Sequence, residues 1–150
     1  MAQSLSQVVL HIIFSTKNRS PLLTDDIIGE MHRYLATATR DQGWECYRVG
    51  GVADHVHLLV RQPRTEKLSA FIGHIKRNSS KWIHGKGGEF EGFAWQDGYG
   101  AFSIGYSQIE SVIKYIDDQK EHHRKLSFQE EYRLVLQKYN ISFEEKYVWD

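Results

Sequence analysis

The run Asp54-His55-Val56-His57-Leu58-Leu59-Val60 constrains this chain more than any other segment. Alternate residues of a strand share a face, so both imidazoles project the same way from a stretch that otherwise reads as core. Two adjacent imidazoles are half of a metal site or half of an acid–base pair. Taken alone, the pair reads equally well as a half-buried strand carrying two hydrogen-bonded histidines.

The neighbouring segments supply a fold for that strand. Ser6 to Ser15 is apolar and β-branched, as a first strand should be. Thr24-Asp25-Asp26 opens a helix that runs through Ile27, Ile28, Met31, Tyr34 and Leu35 to about Arg40, and Gln42-Gly43 closes it. Trp44 to Val49 reads as a second strand, Gly50-Gly51 as a turn, and Asp54 to Gln62 as a third strand. Thr65 caps a helix through Leu68, Phe71, Ile72, Ile75, Ser79 and Trp82, which the glycines after His84 end. A fourth strand falls around Gly100 to Gly105. Ser107-Gln108-Ile109-Glu110 and Ser127-Phe128-Gln129-Glu130 have the form of capping boxes. The first precedes the apolar stripe Ile109, Val112, Ile113 and Ile116; the second opens a helix to about Lys138. The order βαββαβ predicts an α+β, ferredoxin-like (RRM-like) sandwich on an antiparallel sheet, followed by one helix and a C-terminal helical tail. One domain over residues 1–150 is expected, since neither repeats nor linkers break the chain.

Composition narrows the function. The 41% hydrophobic and 25% charged content is that of a globular chain, and no membrane-length apolar run occurs. Cys46 is the only cysteine, so an internal disulfide is excluded, and a cytoplasmic location is expected. Its aromatic and apolar neighbours mark it as a packed thiol rather than a nucleophile. The formal net charge is zero, which at first argues against a nucleic-acid partner. Between Arg61 and Lys86, however, seven basic residues stand against one acid, Glu66. A local stripe of this kind can neutralise phosphates although the total charge balances.

Tyr115 and Gln119 lie four residues apart on the helix after the fourth strand, one above the other at the edge of its apolar stripe. With Asp54 to Val60 and the segment Phe93-Ala94-Trp95-Gln96-Asp97-Gly98-Tyr99-Gly100-Ala101-Phe102-Ser103, they form three blocks in a set order. Together these resemble the single-tyrosine HUH transposases of small bacterial insertion sequences, the insertion-sequence 200/605 class. Ser15-Thr16-Lys17-Asn18-Arg19, Asn78-Ser79-Ser80-Lys81-Trp82 and Glu121-His122-His123-Arg124 resemble that family too. The likeness runs from about residue 7 to the C-terminus.

The resemblance implies that His55, His57 and Gln119 are metal ligands for Mg²⁺ or Mn²⁺ and that Tyr115 is the nucleophile. It implies single-stranded DNA with hairpin ends as substrate, a 5′-phosphotyrosine intermediate, and a homodimer in which the tyrosine helix can serve the partner's site. Ligands without charge would leave the ion its full positive charge for the scissile phosphate. Lys17, Arg19, Lys76 and Lys81 are the candidate DNA contacts, with Trp82 and Trp95 as core residues or base-stacking platforms. His122 and His123 read as solvent or DNA contacts, and no residue stands out as general base. Two alternatives remain: a nucleic-acid-binding module without catalysis, and a histidine-triad nucleotide hydrolase. The second needs a third histidine at the position of Leu59.

Overall fold

The apolar alternation of two strands decides which face of the sheet holds what. In the computed structural model, which describes residues 2–150, β1 (Val9–Ser15) and β3 (His55–Arg61) are the central strands. The sheet order is β2-β3-β1-β4, with β2 at Glu45–Val52 and β4 at Gly100–Ile104, and all neighbours are antiparallel. This is the expected ferredoxin-like arrangement. Helices α1 (Ile28–Asp41) and α2 (Leu68–His84) make its two crossovers.

Even-numbered residues of the central strands face those two helices. Leu10, Ile12 and Phe14 of β1 and Val56, Leu58 and Val60 of β3 pack with Met31 and Leu35 of α1 and Phe71, Ile72 and Ile75 of α2. Each such side chain contributes about 1.5–3 kcal/mol on full burial. Odd-numbered residues face the other way. Val9 and Leu59 pack with Ile109 and Ile116 of α3 (Ile109–Asp117), so the expected apolar stripe is the buried one. Ile13 and Phe102 pack with Phe128, Tyr132 and Leu136 of the last helix. Between α3 and that helix lies the short α4 (Gln119–His122), and the last helix is α5 (Phe128–Lys138).

Gly50 and Gly51 are not a turn. Both belong to β2, paired with His57 and Val56, and the reversal falls at Ala53-Asp54. A Cβ on Gly50 would stand 2.6 Å from Ile116 Cγ2 and 3.1 Å from its carbonyl oxygen. The glycine is therefore a place where α3 presses on the sheet. Gly51 has φ +140°, and a Cβ there would meet His55 O at 2.3 Å. Three capping expectations also change, the first at α1, where the residue before the helix is Ile27 with no side-chain cap, so Thr24-Asp25-Asp26 does not cap it. A 3₁₀ turn (Tyr106–Gln108) precedes α3, and Gly105 N donates to Gln108 Oε1 rather than Ser107 capping the helix. The residue before α2 is Lys67, whose side chain makes no capping bond, so Thr65 does not cap it. The Ser127 box forms as expected: Glu130 N donates to Ser127 Oγ at 3.2 Å and Ser127 N to Glu130 Oε1 at 3.3 Å.

Candidate active site

His55 and His57 are both fully buried on the odd face of β3. Their ring centroids lie 5.0 Å apart. Each ring has one nitrogen fixed by a neighbour. His55 Nδ1 is 2.7 Å from Asp54 Oδ1, the carboxylate at the reversal that precedes β3. His57 Nδ1 is 2.8 Å from Nε2 of His11, which stands on the same face of β1. A partner at Nδ1 fixes the orientation of each ring and leaves its Nε2 facing the site.

The helices bring the remaining groups. Asp118 interrupts the helix between α3 and α4, yet Gln119 still reaches the site: its Oε1 is 3.0 Å from His55 Nε2. Glu131, in the first turn of α5, is buried under the histidines. Its Oε1 lies 3.3 Å from Nε2 of both His55 and His57. Its Oε2 accepts from Gln119 Nε2 at 2.8 Å and from the Tyr115 hydroxyl. The Tyr115 ring centroid is 5.8 Å from that of His57. His123 is not a solvent contact: its Nε2 is 3.1 Å from Gln119 Oε1 and 3.2 Å from Glu131 Oε1. His122 lies against Tyr115, ring centroids 4.7 Å apart. A cleft of about 400 Å³ opens beside Tyr115, with His11, His122, Glu131 and Lys138 in its walls.

The charges are uneven. Burial lowers the pKa of His55, but hydrogen bonds with Asp54 and Glu131 outweigh it and raise the value to about 9. Burial takes His57 down to about 4 and His11 to about 3, so both are neutral rings at pH 7. Burial alone would raise Glu131, yet the neighbouring His123, His55 and His57 hold it well below the carboxylate range. Burial and the Glu131 charge push the Tyr115 phenol above its ordinary value.

These residues fit a cation. The donor atoms of His55, His57 and Glu131 lie within 4.8 Å of one another. His57 Nε2 is buried without a hydrogen-bond partner, because Glu131 Oε1 is not aligned to accept from it. A buried polar atom without a partner is costly, and an ion is one way to satisfy it. Leu59, on the same face, packs with Val9, Ile104 and Ile116 where a third histidine of the triad hydrolases would stand.

The candidate DNA contacts stand on the turn after β1 and on α2. Lys17 is exposed in a 3₁₀ turn (Lys17–Arg19) after β1, and the Arg19 guanidinium sits 5.9 Å over the Trp149 ring. Lys81 is exposed on α2 and joins Arg77 along a groove of about 550 Å³ against residues 93–97. The Lys76 ammonium donates to the carbonyls of Gln96 (2.8 Å), Asp97 (3.3 Å) and Gly98 (2.8 Å), which makes it the least available of the four to a phosphate. Trp95 is core, its Nε1 donating to Ser79 Oγ at 2.9 Å. Trp82 stacks on Tyr34 at 5.0 Å. Cys46 is half-buried and burial raises its thiol pKa.

Comparison with known proteins agrees with the geometry. A family model described as IS200-like transposase matches residues 4–119. A crystal structure of a "putative transposase" from Deinococcus radiodurans R1 superposes with TM-score 0.62 at 20% identity, covering 79% of this chain and 98% of that one. A REP-associated tyrosine transposase bound to a REP hairpin superposes with TM-score 0.59 at 16% identity, covering 82% and 74%. A search of curated proteins finds no significant match.

Proposed function

The chain belongs to the IS200-like transposase family, and on that premise we propose that it cleaves and rejoins single-stranded DNA through a covalent bond to Tyr115. One observation carries the reading: the Tyr115 hydroxyl and the buried His55–His57 pair meet the same carboxylate, Glu131, within one chain.

His55 and His57, with an oxygen from Gln119 or Glu131, would hold a divalent cation, Mg²⁺ or Mn²⁺, which would supply Lewis-acid polarisation of the scissile phosphate. The chain's own groups do the rest. The Tyr115 oxygen attacks phosphorus, forming the 5′-phosphotyrosine ester, while the P–O3′ bond breaks and the 3′-oxygen leaves as a hydroxyl after taking a proton from solvent water. The Tyr115 proton already points at Glu131 Oε2, the nearest acceptor. A phenol with a reference pKa of about 10 is a good leaving group in the reverse step, so the ester keeps the energy needed for rejoining.

The substrate reading is a hairpin-bearing single strand at the ends of a mobile element. It is supported by the basic groove of Arg77 and Lys81, by exposed Lys17, and by the REP hairpin bound to the similarly folded transposase. Excision needs two cuts, and one chain carries one nucleophile, so two copies would cooperate as a homodimer. Within one chain Tyr115 and the histidine pair meet the same carboxylate, and the family likeness implies that the tyrosine helix can also serve the partner's site.

The test is direct. Protein mixed with Mn²⁺ and a labelled hairpin-bearing strand should form a denaturation-resistant adduct, and Tyr115→Phe should form none while binding the strand normally. An adduct of wild-type yield in that variant would refute the nucleophile.

A further inference from the structure

The ligand set implied by the family likeness ends at Gln119, where the family match also ends. Twelve residues later, α5 brings in a carboxylate that fits the role better. We propose that Glu131 is the third protein ligand of the cation, that Gln119 orients it, and that its free oxygen aims Tyr115 at the phosphate held by the same ion. This rests on the divalent-cation reading above.

The placement of Glu131 begins in local sequence. The Ser127–Glu130 box fixes where α5 starts, and Phe128, Tyr132 and Leu136 seat the helix on the odd face of the sheet. Phe128 packs on the His55 ring itself, centroids 4.6 Å apart. Glu131 is thereby driven inward, to 3% exposure. Carboxylates are seldom buried so fully unless ionic partners surround them.

Its two oxygens do different things. Oε1 is 3.3 Å from each Nε2 of the histidine pair. Ligands bound to one small cation at about 2.1 Å stand about 3.0 Å apart in octahedral geometry and about 3.4 Å apart in tetrahedral geometry. The observed separations fall inside that span, and both rings present Nε2 towards the same point. Oε2 faces away, accepting from the Tyr115 hydroxyl and from Gln119 Nε2. The Gln119 amide therefore grips the carboxylate with its nitrogen, while its oxygen lies between His55 and His123 at 3.0 and 3.1 Å.

The chemistry favours the same choice. Mg²⁺ and Mn²⁺ are hard cations that prefer an anionic oxygen to a neutral amide oxygen. A carboxylate that binds the ion through one oxygen and the phenol through the other fixes the distance between nucleophile and Lewis acid. The set is then His55, His57 and Glu131, and one negative charge partly offsets the ion.

Mn²⁺ binding to the full-length protein, followed by the electron spin resonance of free Mn²⁺ without DNA, tests the proposal apart from activity. Glu131→Gln should weaken binding at least about 100-fold, and Gln119→Ala about tenfold, the size expected of a residue acting through a ligand. Glu131→Asp keeps the charge and should recover most of the affinity, which guards against a Gln variant that does not fold. At saturating Mn²⁺ and DNA, Glu131→Gln should still form the adduct slowly with unchanged strand affinity, because Tyr115 is no longer aimed. Should Gln119→Ala lose more affinity than Glu131→Gln, the ligand assignment is overturned. Wild-type protein that binds no Mn²⁺ would overturn the cation reading together with it.

Discussion

The Tyr115 hydroxyl donates its hydrogen bond to Glu131, a residue sixteen positions further along the chain and on a different helix. The pair ties α3 to α5 across the site. The arrangement depends on α3 lying hard against the sheet at Gly50.

Gly50→Ala tests that dependence. The new Cβ would collide with Ile116, a fully buried residue next to Tyr115 in sequence. Overpacking of this kind costs about 1–3 kcal/mol. We expect a chain that still folds, with a lower urea midpoint and a larger loss of adduct formation than of strand binding. Unchanged adduct rates would show that α3 can shift without consequence.

His11 should matter through its hold on His57. It holds Nδ1 of His57 at 2.8 Å, and partners of this kind are worth about 10–100-fold in metal affinity. His11→Phe keeps the bulk and removes the nitrogen. A variant that titrates Mn²⁺ like the wild type would remove His11 from the site.

Acid sensitivity should arise partly from His32 on α1, whose Nε2 is buried without a hydrogen-bond partner. Burial, and secondarily His57, lowers its pKa to about 4 in the folded protein. The unfolded chain takes up this proton near pH 6.5, so between pH 6.5 and 4 the unfolded state binds more protons and stability falls as pH falls. The loss from this residue is at most about 3 kcal/mol, complete below pH 4 and absent above 6.5. Urea unfolding of the metal-free protein at pH 7 and 4.5 should show a shallower decline for His32→Asn. Equal declines would assign the acid sensitivity elsewhere.

Mixing two inactive variants separates service within a chain from exchange between chains. Tyr115→Phe lacks the proposed nucleophile and His57→Ala lacks a proposed ligand. The geometry of one chain predicts that the mixture forms no adduct, since neither protein has a complete site. Restored adduct formation would mean that α3 exchanges between partners on DNA.

The strands, the histidine pair and the Tyr115–Gln119 spacing were legible in the sequence because each depends on short-range periodicity. His11, Glu131 and His123 reach the site through tertiary packing, which periodicity does not encode. His11 meets His57 only because β1 pairs with β3 in one register, with Ile13 opposite His57. Its alternation with Val9, Ile13 and Ser15 was the available signal. Glu131 stands beside Glu130, whose capping role was readable, but nothing local distinguishes an acid in a first turn from a buried one. Gly50 and Gly51 read as a turn because a close helix approach and a reversal ask for the same residue. Glu131 brings into the cluster a negative charge that the three ligands implied by the family likeness lack.

The alternation of β1 and β3 divides the molecule's tolerance to mutation by parity. Even positions in these strands face α1 and α2, so substitutions there should register as lost stability while the chemistry of surviving molecules stays intact. Among the odd positions, His11, His55 and His57 stand in the polar cluster rather than in the packing of Val9, Ile13 and Leu59, so substitutions at those three can silence a chain that melts normally. A drifting lineage of such elements can therefore lose mobility while keeping a stable, DNA-competent fold, by a change at an odd number.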